Sequence, residues 1–147
     1  MPREFISDQR VADYVAARTG IALAPGQYAQ LGIVRDGQVT AGVVFTHFSG
    51  TDISLTVAAA YHGAFTKTFL IRLGQYLWGE LGCSRITFLT EQDRVVELAV
   101  QLGAKIEGRK RDAFGPGRDA TMLGLLASEW PFKTKRSGSD PLQAGLT

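Results

Sequence analysis

The chain has 147 residues, 45% of them hydrophobic, and its 16 Lys and Arg nearly balance its 14 Asp and Glu. This length supports one hydrophobic core rather than two, so we expect a single domain. The formal net charge of +2 indicates no broad electropositive face, and nucleic acid is not an expected partner. One cysteine excludes an internal disulfide, and two histidines are too few for a metal triad.

No window of the sequence approaches the roughly 20 apolar residues of a membrane span, and the opening residues contain no long apolar stretch. We therefore expect no membrane partner and a cytoplasmic location. The domain is expected to cover residues 1–132. The polar residues 133–147 predict a C-terminal tail that acts as a linker or docking arm.

An amphipathic helix opens the chain, capped by Ser7 or Asp8, running to about Arg18 and stopping at Gly20. Strand-like alternation follows in three segments, separated by turn residues that include the hairpin signal Asp36-Gly37. These predicted strands cover residues 28–35, 38–48 and 53–57.

Apolar residues at helical spacing predict a second helix over residues 66–81, capped by Thr66 or Thr68 and ended by Gly82. A strand at 85–89, a helix at 93–102 and two strands at 105–113 and 121–128 complete the elements. Because a crossover helix returns the chain in the same direction, the third and fourth strands are predicted to be parallel neighbours.

This order of elements resembles the GCN5-related N-acetyltransferase (GNAT) superfamily over about residues 5–131. The sequence looks closest to GNAT-like proteins of tailed bacteriophages and to the branch that acetylates ribosomal proteins. That likeness rests on residues 65–70 (FTKTFL), 81–87 (LGCSRIT) and 122–130 (MLGLLASEW). It implies an α/β (α+β) fold, a mixed, mostly antiparallel sheet flanked by helices.

The resemblance also implies a site for acetyl-CoA, which in that family enters between the third and fourth strands with its pyrophosphate at the start of the crossover helix. A helix start offers free N–H groups and a positive dipole end to an anion. The cofactor-binding residues that the resemblance implies are Leu55, Thr56, Val57, Gly63, Ala64, Phe65, Thr66, Lys67, Thr68 and Gln92.

The sequence departs from the family pattern where the chemistry is expected. The positions of the usual phosphate loop match His62, Phe65 and Lys67, and Phe65 replaces a glycine that lets the backbone approach phosphate. A clash or a rerouted loop would follow. The family's Asn after the fourth strand is matched by Gln92, and its Tyr in the next helix by Ala99, which cannot donate a proton.

If transfer occurs, the proton donor must be water or another side chain, and Tyr61 and His62 are the candidates. His47 and His62 are candidate bases for the amine, because histidine titrates near neutrality. Each histidine also has a structural interpretation: His47 as a strand residue with one satisfied nitrogen, and His62 as loop surface. No metal is expected.

Two functions remain open. The first is an acyl-CoA-dependent N-acyltransferase that moves an acetyl group from acetyl-CoA to an amine or protein acceptor. The second is a catalytically degenerate GNAT-fold binding or structural protein, in a virion or another phage assembly. A homo-oligomer is left open in both cases.

A local basic concentration lies near the end of the chain. Alternation along the strand predicts that Lys105, Arg109 and Arg111 share one strand face. They either meet an acidic substrate, a nucleic-acid backbone or a protein partner there, or stay solvated at a sheet edge.

Overall fold

One seven-stranded sheet organises the chain in the computed structural model, which describes residues 4–132. Its strands are β1 (Glu4–Ile6), β2 (Tyr28–Arg35), β3 (Gln38–Thr46), β4 (Ser54–Ala59), β5 (Arg85–Thr90), β6 (Lys105–Lys110) and β7 (Ala120–Leu126). The helices are α1 (Gln9–Thr19), α2 (Lys67–Gly74) and α3 (Asp93–Gln101), with a π-helical segment at Gln75–Glu80 and a 3₁₀ turn at Ala127–Glu129.

The spatial order of the strands is β1-β2-β3-β4-β5-β7-β6, and every neighbouring pair is antiparallel except β4 and β5. The predicted α+β fold with a mostly antiparallel sheet and one parallel pair is therefore confirmed. None of the helices formed by residues 4–132 has the length and apolar character needed to span a membrane.

Helix α1 begins and ends where the sequence predicts. The Asp8 carboxylate accepts a hydrogen bond from the Arg10 backbone N–H, and Gly20 ends the helix at a φ of 77° with its N–H bonded to the Ala16 carbonyl. Val11 and Val15 are fully buried against the sheet beneath. This helix covers β2, β3 and β4 on one face of the sheet.

Helices α2 and α3 cover the opposite face. Phe69 and Leu73 of α2 enter the main core, as do Val95 and Ala99 of α3. The inward-facing residues of β3, β4, β5 and β7 complete that core, so the two faces of the sheet carry two separate hydrophobic clusters. Site residues on β4 therefore point alternately toward α1 and toward α2 and α3.

The end of the second predicted helix differs from expectation. The chain leaves α-helical geometry after Gly74 and forms a π turn, in which the Leu81 N–H bonds the Tyr76 carbonyl five residues earlier. A Cβ at Gly74 would lie 2.5 Å from Nε1 of Trp130, so the junction of the two segments packs directly against that buried indole. Contacts this distant in sequence leave no periodicity signal.

The sheet edges also differ from the sequence prediction. Strand β1 was not predicted, since its three residues are too few to show a periodicity. The predicted strand 105–113 ends at Lys110, and a bulge between Ile106 and Gly108 reverses its alternation. Lys105 is opposite Gly124 and Arg109 opposite Thr121, so the two cations lie on different faces and bind Glu129 and Asp119 respectively. Arg111 lies in the turn beyond the strand.

Candidate functional site

Strands β4 and β5 pair at only one end. In the described part of the chain, Ser54 pairs with Thr87 and Leu55 pairs with Phe88, and the two strands form no further pairs. The Thr87 hydroxyl donates to the Asp52 carboxylate at 3.0 Å, which fastens this closed end. Past it the strands separate, and a wedge-shaped gap opens toward the end of β4.

The backbone of β4 presents hydrogen-bonding groups to that gap. Ala60 donates its N–H to the Thr40 carbonyl of β3 at 2.8 Å, so the even-numbered residues of β4 bond β3. The N–H and C=O groups of Val57 and Ala59 consequently face the gap. Of the three β4 residues that the resemblance implied at the cofactor, Leu55 and Val57 turn their backbone groups to β5, whereas those of Thr56 face β3.

A cleft of about 330 Å³ lies on the α2–α3 side of this gap. Its floor is formed by Val57 and Ala59 of β4, and one wall by Val95 and Leu98 of α3. The other wall is the loop between β4 and α2. The remaining lining residues include Leu70, Gln92, Arg94, Glu97, Gln101, Leu102 and Phe132. The cleft is thus mostly apolar with a few polar groups, which is typical of a small-molecule site.

The loop wall is a tight turn of four residues. The Ala64 N–H bonds the Tyr61 carbonyl at 3.2 Å, and Gly63 holds a φ of 82°, as the third position of a type II turn demands. A Cβ on Gly63 would meet no atom within 4 Å, so the space beside this glycine is open to the cleft. Ala64 is buried in the core and anchors the turn.

Helix α2 begins directly after the turn. The Thr66 hydroxyl accepts a hydrogen bond from the Phe69 N–H at 3.1 Å and thereby caps the helix. The N–H groups of Lys67 and Thr68 have no acceptor within the helix, because its first backbone bond runs from the Leu70 N–H to the Thr66 carbonyl. Both side chains are exposed. This helix start therefore combines free donors, hydroxyls and an ammonium group, which together suit phosphate.

The Phe65 side chain packs into the core beside the loop. Its ring packs on Phe69 with centroids 5.5 Å apart and is half-buried in the core, so the loop takes a route in which Gly63, rather than residue 65, supplies the positive φ. Ala99, which matches the family's proton-donating tyrosine, is fully buried and does not line the cleft.

The candidate catalytic residues lie at two separate places. Tyr61 and His62 are exposed and line the cleft, and the Arg35 guanidinium donates to the Tyr61 hydroxyl at 3.4 Å. His47 follows β3 with a φ of 57° and precedes the start of β4, at the closed end of the β4–β5 pair. It lines neither the cleft nor the recess described next.

A narrow recess of about 30 Å³ opens from the gap on the α1 face. It shares Val57 and Gln92 with the cleft, so these two residues separate the two cavities. Its other lining residues are Arg18, Thr19, Thr56, Leu89, Thr90, Glu91 and Phe114. Among the residues that line the recess, Thr56, Val57 and Gln92 were sequence candidates and the others were not. Of the other residues, only Thr90 and Glu91 have a sequence pattern that could have indicated a site, because they are polar residues at the end of an apolar strand.

The charge in this recess is set by an ion pair across two loops. Arg118 of the β6–β7 loop binds the Glu91 carboxylate with two guanidinium nitrogens, and these bonds lower the pKa of Glu91. Glu91 is thus ionised and paired.

Elsewhere, burial raises the pKa of the Cys83 thiol, which makes a thiolate nucleophile there unfavourable. Among residues 4–132 no cluster of three metal-ligating side chains occurs.

No protein-family model and no curated protein matches this sequence. Solved structures do match. The spermidine/spermine N-acetyltransferase of Vibrio cholerae, in complex with manganese ions, has a TM-score of 0.65 at 11% identity over 86% of this chain and 94% of that one. A dodecameric structure of spermidine N-acetyltransferase from the same organism has a TM-score of 0.68 at 11% identity, covering 90% and 98%.

A probable acetyltransferase has a TM-score of 0.59 at 20% identity, covering 71% of this chain and 65% of that one. At these identities the likeness concerns the fold. The chain therefore has the fold of the GNAT acetyltransferases, as its sequence resemblance predicted.

Proposed function

We propose that this protein is an acyl-CoA-dependent N-acyltransferase that moves an acetyl group from acetyl-CoA to an amine. The observation that carries the proposal is the β4–β5 gap, which lies between the cleft near the start of α2 and a second cavity on the other face of the sheet. A cofactor and an acceptor can thus approach the same point from opposite sides.

In this arrangement the phosphates of the cofactor lie at the N–H groups of Lys67 and Thr68, beside the turn at Gly63. The pantetheine arm follows the cleft and bonds the backbone of Val57. The thioester then lies near Gln92, where the cleft meets the recess. An apolar lining with few polar groups suits a long arm that carries two amides.

Transfer requires an unprotonated amine, whose nitrogen attacks the thioester carbonyl while the carbon–sulfur bond breaks. The amine loses a proton and the CoA thiolate gains one. Tyr61 and His62 are the groups at the cleft suited to exchange these protons. Most of the rate enhancement is expected from positioning, because amines are good nucleophiles for thioesters.

Calorimetric titration with acetyl-CoA tests the cofactor site. We expect micromolar binding, weakened about tenfold by Lys67→Ala because an ammonium–phosphate contact is lost. Lys110→Ala, which removes an exposed cation far from the cleft, should leave the dissociation constant unchanged. Undetectable binding by the unmodified protein would contradict the proposal.

A GNAT-fold binding protein without transfer activity is the second candidate, because Ala99 cannot donate a proton and Phe65 occupies a glycine position. Phe65→Gly separates the two. If Phe65 only packs on Phe69, the variant loses stability and gains no affinity. If affinity for acetyl-CoA appears only in this variant, the loop is closed in the natural protein and the second candidate is correct.

A further inference from the structure

The recess on the α1 face has a charge pattern that selects among amines. It lies across Val57 and Gln92 from the cleft, so an amine at the recess can reach a thioester held near Gln92. This inference rests on the acyltransferase proposal. It concerns the chemical group that the acceptor carries in addition to its reacting amine.

The recess contains one carboxylate, that of Glu91, and its charge is already engaged. Arg118 holds it with two hydrogen bonds. A cationic substrate therefore finds no free anionic partner among the described residues that line the recess.

Arg18 has the opposite character. Its guanidinium lies 4.7 Å from the centroid of the Tyr14 ring, and within residues 4–132 no carboxylate pairs with it. Burial raises the pKa of the Tyr14 phenol, so that ring stays neutral and supplies no counter-charge. Arg18 thus presents to the recess a positive charge that no described carboxylate neutralises.

One threonine hydroxyl adds to this surface. Thr56 is buried, with its side chain on the recess side of β4. A guanidinium beside a hydroxyl donor matches a carboxylate.

We propose that the acceptor is an amine that carries a carboxylate, an amino acid, and that Arg18 binds this carboxylate. The amine nitrogen then points through the gap beside Gln92 toward the thioester. A polyamine carries only positive charges and is repelled by Arg18. The acceptor class therefore differs from that named for the polyamine acetyltransferases that share this fold.

The test measures release of CoA from acetyl-CoA with the twenty proteinogenic amino acids, their α-amides and spermidine as acceptors. We expect at least one amino acid to react, and its amide to have a kcat/KM lower by about tenfold to a hundredfold, the value of a charge-assisted hydrogen bond. Spermidine should react more slowly than that amino acid.

Two arginine variants test whether Arg18 pairs with the carboxylate of the substrate. Arg18→Gln should lower kcat/KM for the amino acid about tenfold or more, mainly through KM, and leave that for its amide unchanged. Arg10→Gln is the matched control, because this arginine lies on the same helix but pairs with Asp8 outside the recess. This variant should leave kcat/KM unchanged for both the amino acid and its amide.

Arg118→Gln tests the charge balance independently. Removing this partner frees the Glu91 carboxylate, which then repels the carboxylate of the substrate. The preference for the amino acid over its amide should shrink, whereas Arg109→Gln, a variant of an exposed arginine paired with Asp119, should not alter it.

Three results would overturn the proposal: equal rates with acid and amide, a preference for spermidine, or no reaction with any of these amines by a protein that binds acetyl-CoA. Absence of acetyl-CoA binding would instead remove the acyltransferase proposal itself. Calorimetry with the cofactor alone separates these failures.

Discussion

Substituting Ala59 by tryptophan is expected to weaken acetyl-CoA binding strongly while leaving the fold intact. Ala59 is the last residue of β4, half-buried, and its side chain forms part of the floor of the 330 Å³ cleft. An indole at this position extends into space that the structure already provides, so it need not displace core residues. It does fill the path expected for the pantetheine arm.

We expect the dissociation constant to rise by roughly a hundredfold or more, equivalent to about 3 kcal/mol of lost binding. The midpoint of thermal unfolding should change by only a few degrees. Ala60→Trp is the matched control, since Ala60 is exposed and does not line the cleft. Binding that survives in Ala59→Trp would mean that the cofactor does not occupy this cleft.

Gly42→Ala is expected to give a large loss of stability. Gly42 of β3 and Gly32 of β2 are cross-strand partners that together form a flat patch beneath α1. A Cβ on Gly42 would lie 2.8 Å from a methyl group of Val11 and 2.9 Å from one of Val15, both fully buried. Such distances are too short for carbon atoms, so the helix must move away from the sheet.

Overpacking of this kind costs about 2 kcal/mol in the free energy of unfolding, which corresponds to a fall of about 4–8 °C in the unfolding midpoint for a domain of this size. Val11→Ala in the same chain should relieve the overlap, so the double variant loses less stability than the sum of the two single changes. Gly108→Ala serves as the control, since a Cβ there meets no atom within 4 Å. Additive losses in the double variant would show that the close approach of α1 is not the cause.

The effects of these variants depend on the positions of α1 and the cleft relative to the sheet. The sequence predicted the existence of α1 but not its position. The existence of α1 was readable from Asp8, Gly20 and the spacing of Val11 and Val15, because caps and periodicity act over a few residues. The close approach of α1 to the sheet could not be predicted from the sequence. It depends on Gly32 and Gly42, which become neighbours only when β2 and β3 pair.

The same contrast holds at the site. Thr66, Lys67 and Thr68 marked the start of α2 by their chemistry, and Gln92, which the resemblance to the GNAT superfamily implied, lines both cavities. Arg18 and Phe114 were not found. They come from an opening helix and a late loop, and only the tertiary structure brings them together.

The sequence by itself determined the order of elements, the parallel pairing of β4 and β5, and the chemical character of the α2 start. These depend on local periodicity, capping and the handedness of a crossover. The tertiary structure decided where β4 and β5 separate, how Gly63 rather than residue 65 shapes the loop, and which charges meet in the recess. Those outcomes depend on contacts between residues distant in the chain, which no local pattern encodes.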